Sequence, residues 1–304
     1  MSTRNTIVII PTLNAERDWI RFAGPLQASI AADKVLIVDS SSVDATVDLA
    51  RSAGFNIQRI AREEFNHGGT RQLAVDSNPQ ADILVFMTQD AVLASPDAIN
   101  RLTDVFADPN VAAAFGRQLP RHGAAPIEVH ARLFNYPVHS SVRALESREK
   151  LGFKSIFISN AFAAYRRSAL VEIGGFPRDV IFGEDTITAG KLLLANWKIA
   201  YVAETQVYHS HGYTWSEEFK RYFDIGVLHE RETWLTKEFG NATGEGTRFV
   251  RSELGYLWSG HKRYIPSALI RTALKFAGYK MGRNERRLSL SWKRRLSMYK
   301  NFWK

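Results

Sequence analysis

Short apolar runs separated by stretches of helical spacing mark the N-terminal half of the chain. TIVIIP (6–11), KVLIVD (34–39), FNIQRI (55–60) and ADILVFM (81–87) are apolar or β-branched, as strands buried on both faces are. Their alternation with helical segments predicts βαβ units: an α/β fold with a mostly parallel central sheet flanked by helices. Such sheets bind ligands beyond the carboxyl ends of their strands. The residues there are Pro11-Thr12-Leu13-Asn14, Asp39-Ser40-Ser41-Ser42, Arg62 to Gly69 and Thr88-Gln89-Asp90, all polar or turn-forming. Further on, FGEDTITAGKLLLANW reads as a helix and KIAYV as a strand. GNATGEG (240–246) reads as a flexible loop, so a boundary is expected between Phe219 and Gly246, separating a catalytic domain (1–225) from a helical extension (226–304).

Composition narrows the picture. With 304 residues, 45% of them apolar, the chain can bury one large core or a core with a small appendage. It has no cysteine, which removes disulfides and thiolate chemistry, so any metal is held by oxygen or imidazole. The opening MSTRNTIVIIPTLN shows no secretory leader, and no window approaches the roughly 18 apolar residues of a spanning helix. Charge is unevenly spread. Of 40 Lys/Arg and 31 Asp/Glu, 13 basic and one acidic residue lie between His261 and Lys304, leaving 27 basic and 30 acidic in the body. A contrast of that size predicts a polyanion or an anionic surface as a separate partner for the tail.

Each strand-end cluster admits a chemical and a structural reading. Asp39 either reads the N3 proton of a pyrimidine or is only a helix cap, as Ser42 and Asp44 are candidates to be. FNHGGTR either presents free amides and Arg71 to a phosphate or forms a plain turn, with His67 a ligand or a spacer. Asp90 follows the strongest strand and either binds a hard divalent cation or caps the next helix. Glu184 and Asp185 open a helix, where acidic residues favour the dipole; one can instead orient while the other acts as general base. His209 and His211 fall on one side of an extended backbone, where either can complete a metal site.

Taken in order, PTLN, VDSSSVDAT, FNHGGTR, MTQDA, NAFAAYRRSALVEIGGF, GEDTITAGKLLLANWKIAYV and VYHSHGYT resemble the inverting family 2 glycosyltransferases with the GT-A fold, and more narrowly their bacterial rhamnosyltransferase branch. The resemblance spans about residues 5 to 225. It implies that Thr12, Asn14 and Asp39 line the nucleoside, that Arg71 and Gln89 approach the donor, and that Asp90 holds Mg²⁺ or Mn²⁺ with His209 or His211. Asp185 would be the catalytic base and Glu184 its neighbour. The broader family carries Asp-x-Asp where this chain has Thr88-Gln89-Asp90, so one carboxylate remains. The implied donor is dTDP-L-rhamnose, and the implied acceptor a lipid-linked or lipopolysaccharide glycan.

The tail interleaves Lys and Arg with Phe, Tyr, Trp and Leu, which suits an amphipathic helix on an anionic membrane. The expected setting is cytoplasmic, peripheral on the inner face of the membrane. Competing readings are a UDP- or GDP-sugar donor, a sugar-nucleotide-binding protein without activity, and a nucleic-acid-binding protein acting through the tail. The last is disfavoured because the first 260 residues hold no basic-aromatic patch.

Overall fold

The computed structural model describes residues 4–240 and 243–304. Nine strands form one sheet: β1 (Thr6–Thr12), β2 (Val35–Asp39), β3 (Asn56–Arg59), β4 (Ile83–Met87), β5 (Val92–Leu93), β6 (Val111–Leu119), β7 (Ser141–Arg143), β8 (Phe162–Arg166) and β9 (Lys198–Tyr208). The helices are α1 (Trp19–Ser29), α2 (Thr46–Ser52), α3 (His67–Asp76), α4 (Ala98–Asp104), α5 (Pro126–Asn135), α6 (Ser147–Leu151), α7 (Arg167–Glu172), α8 (Glu184–Leu194), α9 (Trp215–Arg231), α10 (Thr233–Phe239), α11 (Thr243–Trp258), α12 (Ile265–Gly282) and α13 (Leu290–Leu296).

The strand order is β3-β2-β1-β4-β8-β6-β9-β5, with β7 also on β9. β1 to β4, β6 and β9 run one way; β8 lies antiparallel between β4 and β6, and β5 and β7 oppose β9. The sheet is thus mostly parallel, with one reversed strand at its centre. Apolar runs are continuous because both faces are covered. In β1, Ile7 and Ile9 enter one core while Val8 and Ile10 enter the core on the opposite face.

The reversed strand matters for the site. Phe162 pairs with Met87 at the carboxyl end of β4, so the residues just before β8 arrive at the edge where the parallel strands end. Gln118 near the end of β6 and His209 just past β9 reach the same edge, since Leu119 pairs with Tyr208.

The C-terminal third is continuous with the body. α9 runs through residue 225, where the sequence suggested a boundary, and α12 packs along it through glycines: a Cβ on Gly282 would lie 2.0 Å from the Phe223 carbonyl, and one on Gly278 2.3 Å from that of Phe219. Leu235, Phe239 and Trp303 share the core of β1 and β4, with Leu296, Tyr299 and Phe302 packed against it. Of the expected 240–246 loop, Asn241 and Ala242 lie outside the described residues, and the chain is helical from Thr243 onward.

Candidate active site

Asp185 and Glu184 open α8 and stand in opposite surroundings. Glu184 is buried; its Oε1 accepts from Arg71 Nη1 at 3.1 Å and from Asn160 Nδ2 at 2.9 Å. Burial alone would raise its carboxyl, but Arg71, the next largest influence, together with His67 and the Asn160 hydrogen bond outweighs that and holds Glu184 below the usual range. Asp185 is half-buried and meets no side-chain cation among the described residues; its oxygens accept from the Thr186 amide at 2.7 Å and the Asn160 amide at 3.3 Å. Burial, followed by the negative charge of Glu184, pushes it up to about 6. The pair therefore divides into a fixed anion and a carboxylate that exchanges protons near neutrality, as a general base requires.

Asp90, His209 and His211 present ligand atoms that all lie within 4.8 Å of one another. His209 Nε2 is 3.4 Å and His211 Nδ1 3.8 Å from Asp90 Oδ2. Although burial works against it, the hydrogen bond and charge of His209 hold the Asp90 carboxyl far below its ordinary value. Asp90 does not cap α4, whose start is held instead by Ser95 and Asp97.

The surroundings of His209 test whether a cation fits. Arg132 Nη1 donates to Gln118 Oε1 at 2.5 Å, and Gln118 Nε2 donates to Ser159 Oγ at 2.9 Å, which fixes which end of the Gln118 amide is oxygen. His209 Nδ1 lies 2.9 Å from that same oxygen and must be the N–H donor. While Nε2 also carries a proton it donates to the Asp90 carboxylate. When the ring gives up that proton, Nε2 and the carboxylate become two acceptors facing each other, a pairing that a divalent cation can fill, and a ligating histidine held through its other nitrogen is the usual support of a metal.

Several expected donor contacts differ in the structure. Arg71 is buried, with Nη1 on Glu184 and also donating to the His67 carbonyl at 2.8 Å, so its charge serves the catalytic pair and does not face an open phosphate. The glycines of FNHGGTR do not leave a free cradle. Gly69 donates to the Asn66 cap, and Gly68 permits close packing, since a Cβ there would lie 1.7 Å from the Pro177 carbonyl. His67 is a packed spacer: its ring meets Phe65 and Tyr299 edge-on, and burial pushes it down to about 4.

Asp39 is fully buried and accepts from the Ser42 amide and hydroxyl and from Thr12 Oγ1 at 3.5 Å. It therefore organises the turn and presents no free edge to a base. Asn14, in the loop after β1, lies beside that turn; it adopts φ 49° and accepts from the Val43 amide at 3.0 Å. Gln89 clasps both backbone groups of Leu13, accepting at 2.8 Å and donating at 3.2 Å. It ties the β1 and β4 loops together and leaves the adjacent Asp90 as the group open to solvent.

Sequence reasoning missed Asn160, which holds Glu184 through its side chain and Asp185 through its amide, and the trio Gln118, Arg132 and Ser159 behind His209. The only available signal for Asn160 was its place immediately before the AFAAYR strand.

A mixed α/β sheet whose carboxyl edge gathers a proton-accepting carboxylate and a carboxylate-imidazole cation site defines a sugar-nucleotide transferase of the GT-A type. Residues 4–223 match the model of the glycosyltransferase-like family 2, and the chain belongs to that family and is a glycosyltransferase. It is 48% identical to the O-antigen chain rhamnosyltransferase RfbN of Salmonella typhimurium over 298 residues, covering 97% of this chain and 95% of that protein. It is 44% identical to the O-antigen chain rhamnosyltransferase WbaN of Salmonella anatum over the same shares. Among solved structures, the mannosyltransferase PcManGT of Pyrobaculum calidifontis, in complex with GDP-Man and Mn²⁺, shares the fold, with a TM-score of 0.57 at 19% identity over 97% of this chain and 85% of that one.

Proposed function

We propose that the chain transfers L-rhamnose from dTDP-L-rhamnose, with inversion, to a hydroxyl of a lipid-linked O-antigen glycan. The observation that carries the reaction is the Glu184–Asp185 pair, in which Arg71 holds one carboxylate ionised while the other stays basic and open to the cleft. The sugar and the glycan class rest on the names of the two relatives, and the dTDP carrier on the family resemblance of the sequence. Asp185 takes the proton of the acceptor hydroxyl as that oxygen bonds to the anomeric carbon; the bond from that carbon to the phosphate oxygen breaks, and its electron pair leaves with the nucleoside diphosphate. Asp90, His209 and His211 would hold Mg²⁺ or Mn²⁺, whose charge, when bound, neutralises the diphosphate. Thr12, Asn14, Asp39 and Gln89 shape the nucleoside end, the last two by positioning its loops.

The extension also supports attachment to the cytoplasmic face of an anionic membrane. Trp258, Phe276 and Trp292 are exposed by 66%, 65% and 51%, and Lys262, Lys280 and Arg295 lie over their rings. Aromatic surface paired with cations suits a lipid headgroup layer. No described helix is long and apolar enough to cross a membrane. Nucleic acid is the weaker partner, because the first 260 residues hold no basic-aromatic patch.

The test is thermal shift with dTDP, UDP and GDP, each with and without Mn²⁺, together with turnover of Asp185→Asn. Selective, Mn²⁺-enhanced stabilisation by dTDP and a variant that binds donor without turning over are expected. Preference for UDP or GDP overturns the rhamnose assignment, and retained turnover overturns the base.

A further inference from the structure

α9 follows directly from the His209–His211 loop and turns an inward face of Arg221, Asp224 and Leu228 toward the catalytic turn. Leu228 lies against Gly183, immediately before Glu184. Arg221 Cζ sits 4.2 Å from the centre of the Phe182 ring, and its Nη1 donates to Tyr299 Oη at 3.0 Å. Tyr299 in turn stacks on Phe182 at 5.9 Å and meets His67 at 4.8 Å. The C-terminal segment is itself pinned to α9, because the Met298 amide donates to Asp224 at 2.9 Å.

Arg221 differs from four other arginines packed around the catalytic turn and the C-terminal helices. Arg71, Arg231, Arg271 and Arg283 are each paired with a carboxylate. Arg221 has no carboxylate within ion-pairing distance among the described residues, and a single phenol serves a group with five N–H donors. The residue is only partly covered. Its positive charge thus stands against Phe182, two residues before Glu184, beside the catalytic turn. Burial opposes that charge, but Tyr299, Tyr213 and Asp185 more than offset it, so the guanidinium stays protonated.

We infer that Arg221 binds the diphosphate of the sugar-nucleotide donor, and that Tyr299 of the C-terminal segment is the positioning residue that aims it. A planar, uncompensated fork beside the reacting centre matches phosphate oxygens. It also meets the negative charge that grows on the leaving nucleoside diphosphate. The inference rests on the proposed donor chemistry and adds a cation that neither the strand-end clusters nor the ED pair supplies.

The experiment is calorimetric titration of the full chain with Mn²⁺ and dTDP, UDP or GDP, with the matching uncharged nucleoside and farnesyl diphosphate as controls. For the nucleoside diphosphate the wild type prefers, Arg221→Gln weakens binding about 10- to 100-fold, as loss of charge-assisted hydrogen bonds does. Nucleoside binding stays unchanged. Arg221→Lys, which keeps the charge and guards against misfolding of the Gln variant, recovers part of the affinity. Tyr299→Phe keeps the ring stack and the melting temperature while losing several-fold in diphosphate affinity, which a purely structural tyrosine would not do. Wild-type affinity in Arg221→Gln, or an equal loss for nucleoside and nucleoside diphosphate, overturns the assignment. Loss confined to farnesyl diphosphate overturns it in favour of a lipid-diphosphate contact. A wild type that binds no nucleoside diphosphate overturns the donor reading and this inference with it.

Discussion

Glu184 and Asp185 adjoin in sequence yet answer to different neighbours, and this division sets the pH behaviour. Because Asp185 is raised to about 6 by burial and by Glu184, it must lose its proton to act. Turnover is expected to fall tenfold per pH unit below about pH 6, read from kcat across a buffer series. Glu184→Gln removes the like charge, so the acid limb moves to lower pH. The same change leaves Arg71 buried and unpaired, which destabilises the fold by about 3–5 kcal/mol in chemical denaturation. Asp185 and Asp90 were legible in the sequence because each stands at a strand or helix end where little but chemistry or capping explains a carboxylate. The partners of Arg71, Asp39 and Gln89 were not. Whether an arginine faces a ligand or a glutamate depends on how α3 and α8 meet, and no local pattern encodes that meeting.

Elements were legible where burial writes a continuous signal. β1, β2 and β4 read as apolar runs because helices cover both faces of the sheet, and α8 showed its spacing and its acidic first turn. The direction of β8 was not readable, since AFAAYR looks the same running either way; yet that reversal brings Asn160 to the carboxyl edge. The glycines of α9 and α12 were also silent, being ordinary residues until two helices approach within backbone contact. Gly282→Ala places a methyl group against the Phe223 carbonyl, 2.0 Å away. We expect it to destabilise the protein by about 1–3 kcal/mol or more, measured by urea titration, with no comparable effect from an alanine at the open Gly255.

At the scale of the molecule, the basic tail signalled by composition proved to have two faces, one packed into the core and one exposed. Asp224 joins the buried face to α9. Burial raises its carboxyl to about 7 from an ordinary value of 3.8, against the pull of Ser297 and the Met298 amide. Its folded value exceeds its unfolded one, so the stability it contributes is present at low pH and is lost as pH climbs from about 4 through 7. Asp224→Asn should therefore gain on the wild type in unfolding free energy between pH 5 and 8, by on the order of 2 kcal/mol, read from urea titrations at each pH. The exposed face makes a separate prediction. Co-sedimentation with vesicles should require anionic lipid, weaken as salt rises, and drop sharply in Phe276→Glu, each nearby cation contributing about 1 kcal/mol. Equal binding to neutral vesicles would refute the electrostatic part.

The docking of Tyr299 and Trp303 beside α9 also bears on how the enzyme comes into being. The residues that steady Phe182 and Arg221 follow the last strand by some ninety positions in the chain, so a nascent chain can complete its sheet and its Asp90–His209–His211 cluster before its catalytic turn is braced. Products that stop before Ser297 would be folded in the main yet poorly active. For the same reason, a bulky group fused directly behind Trp303 would disturb the segment that braces the catalytic turn.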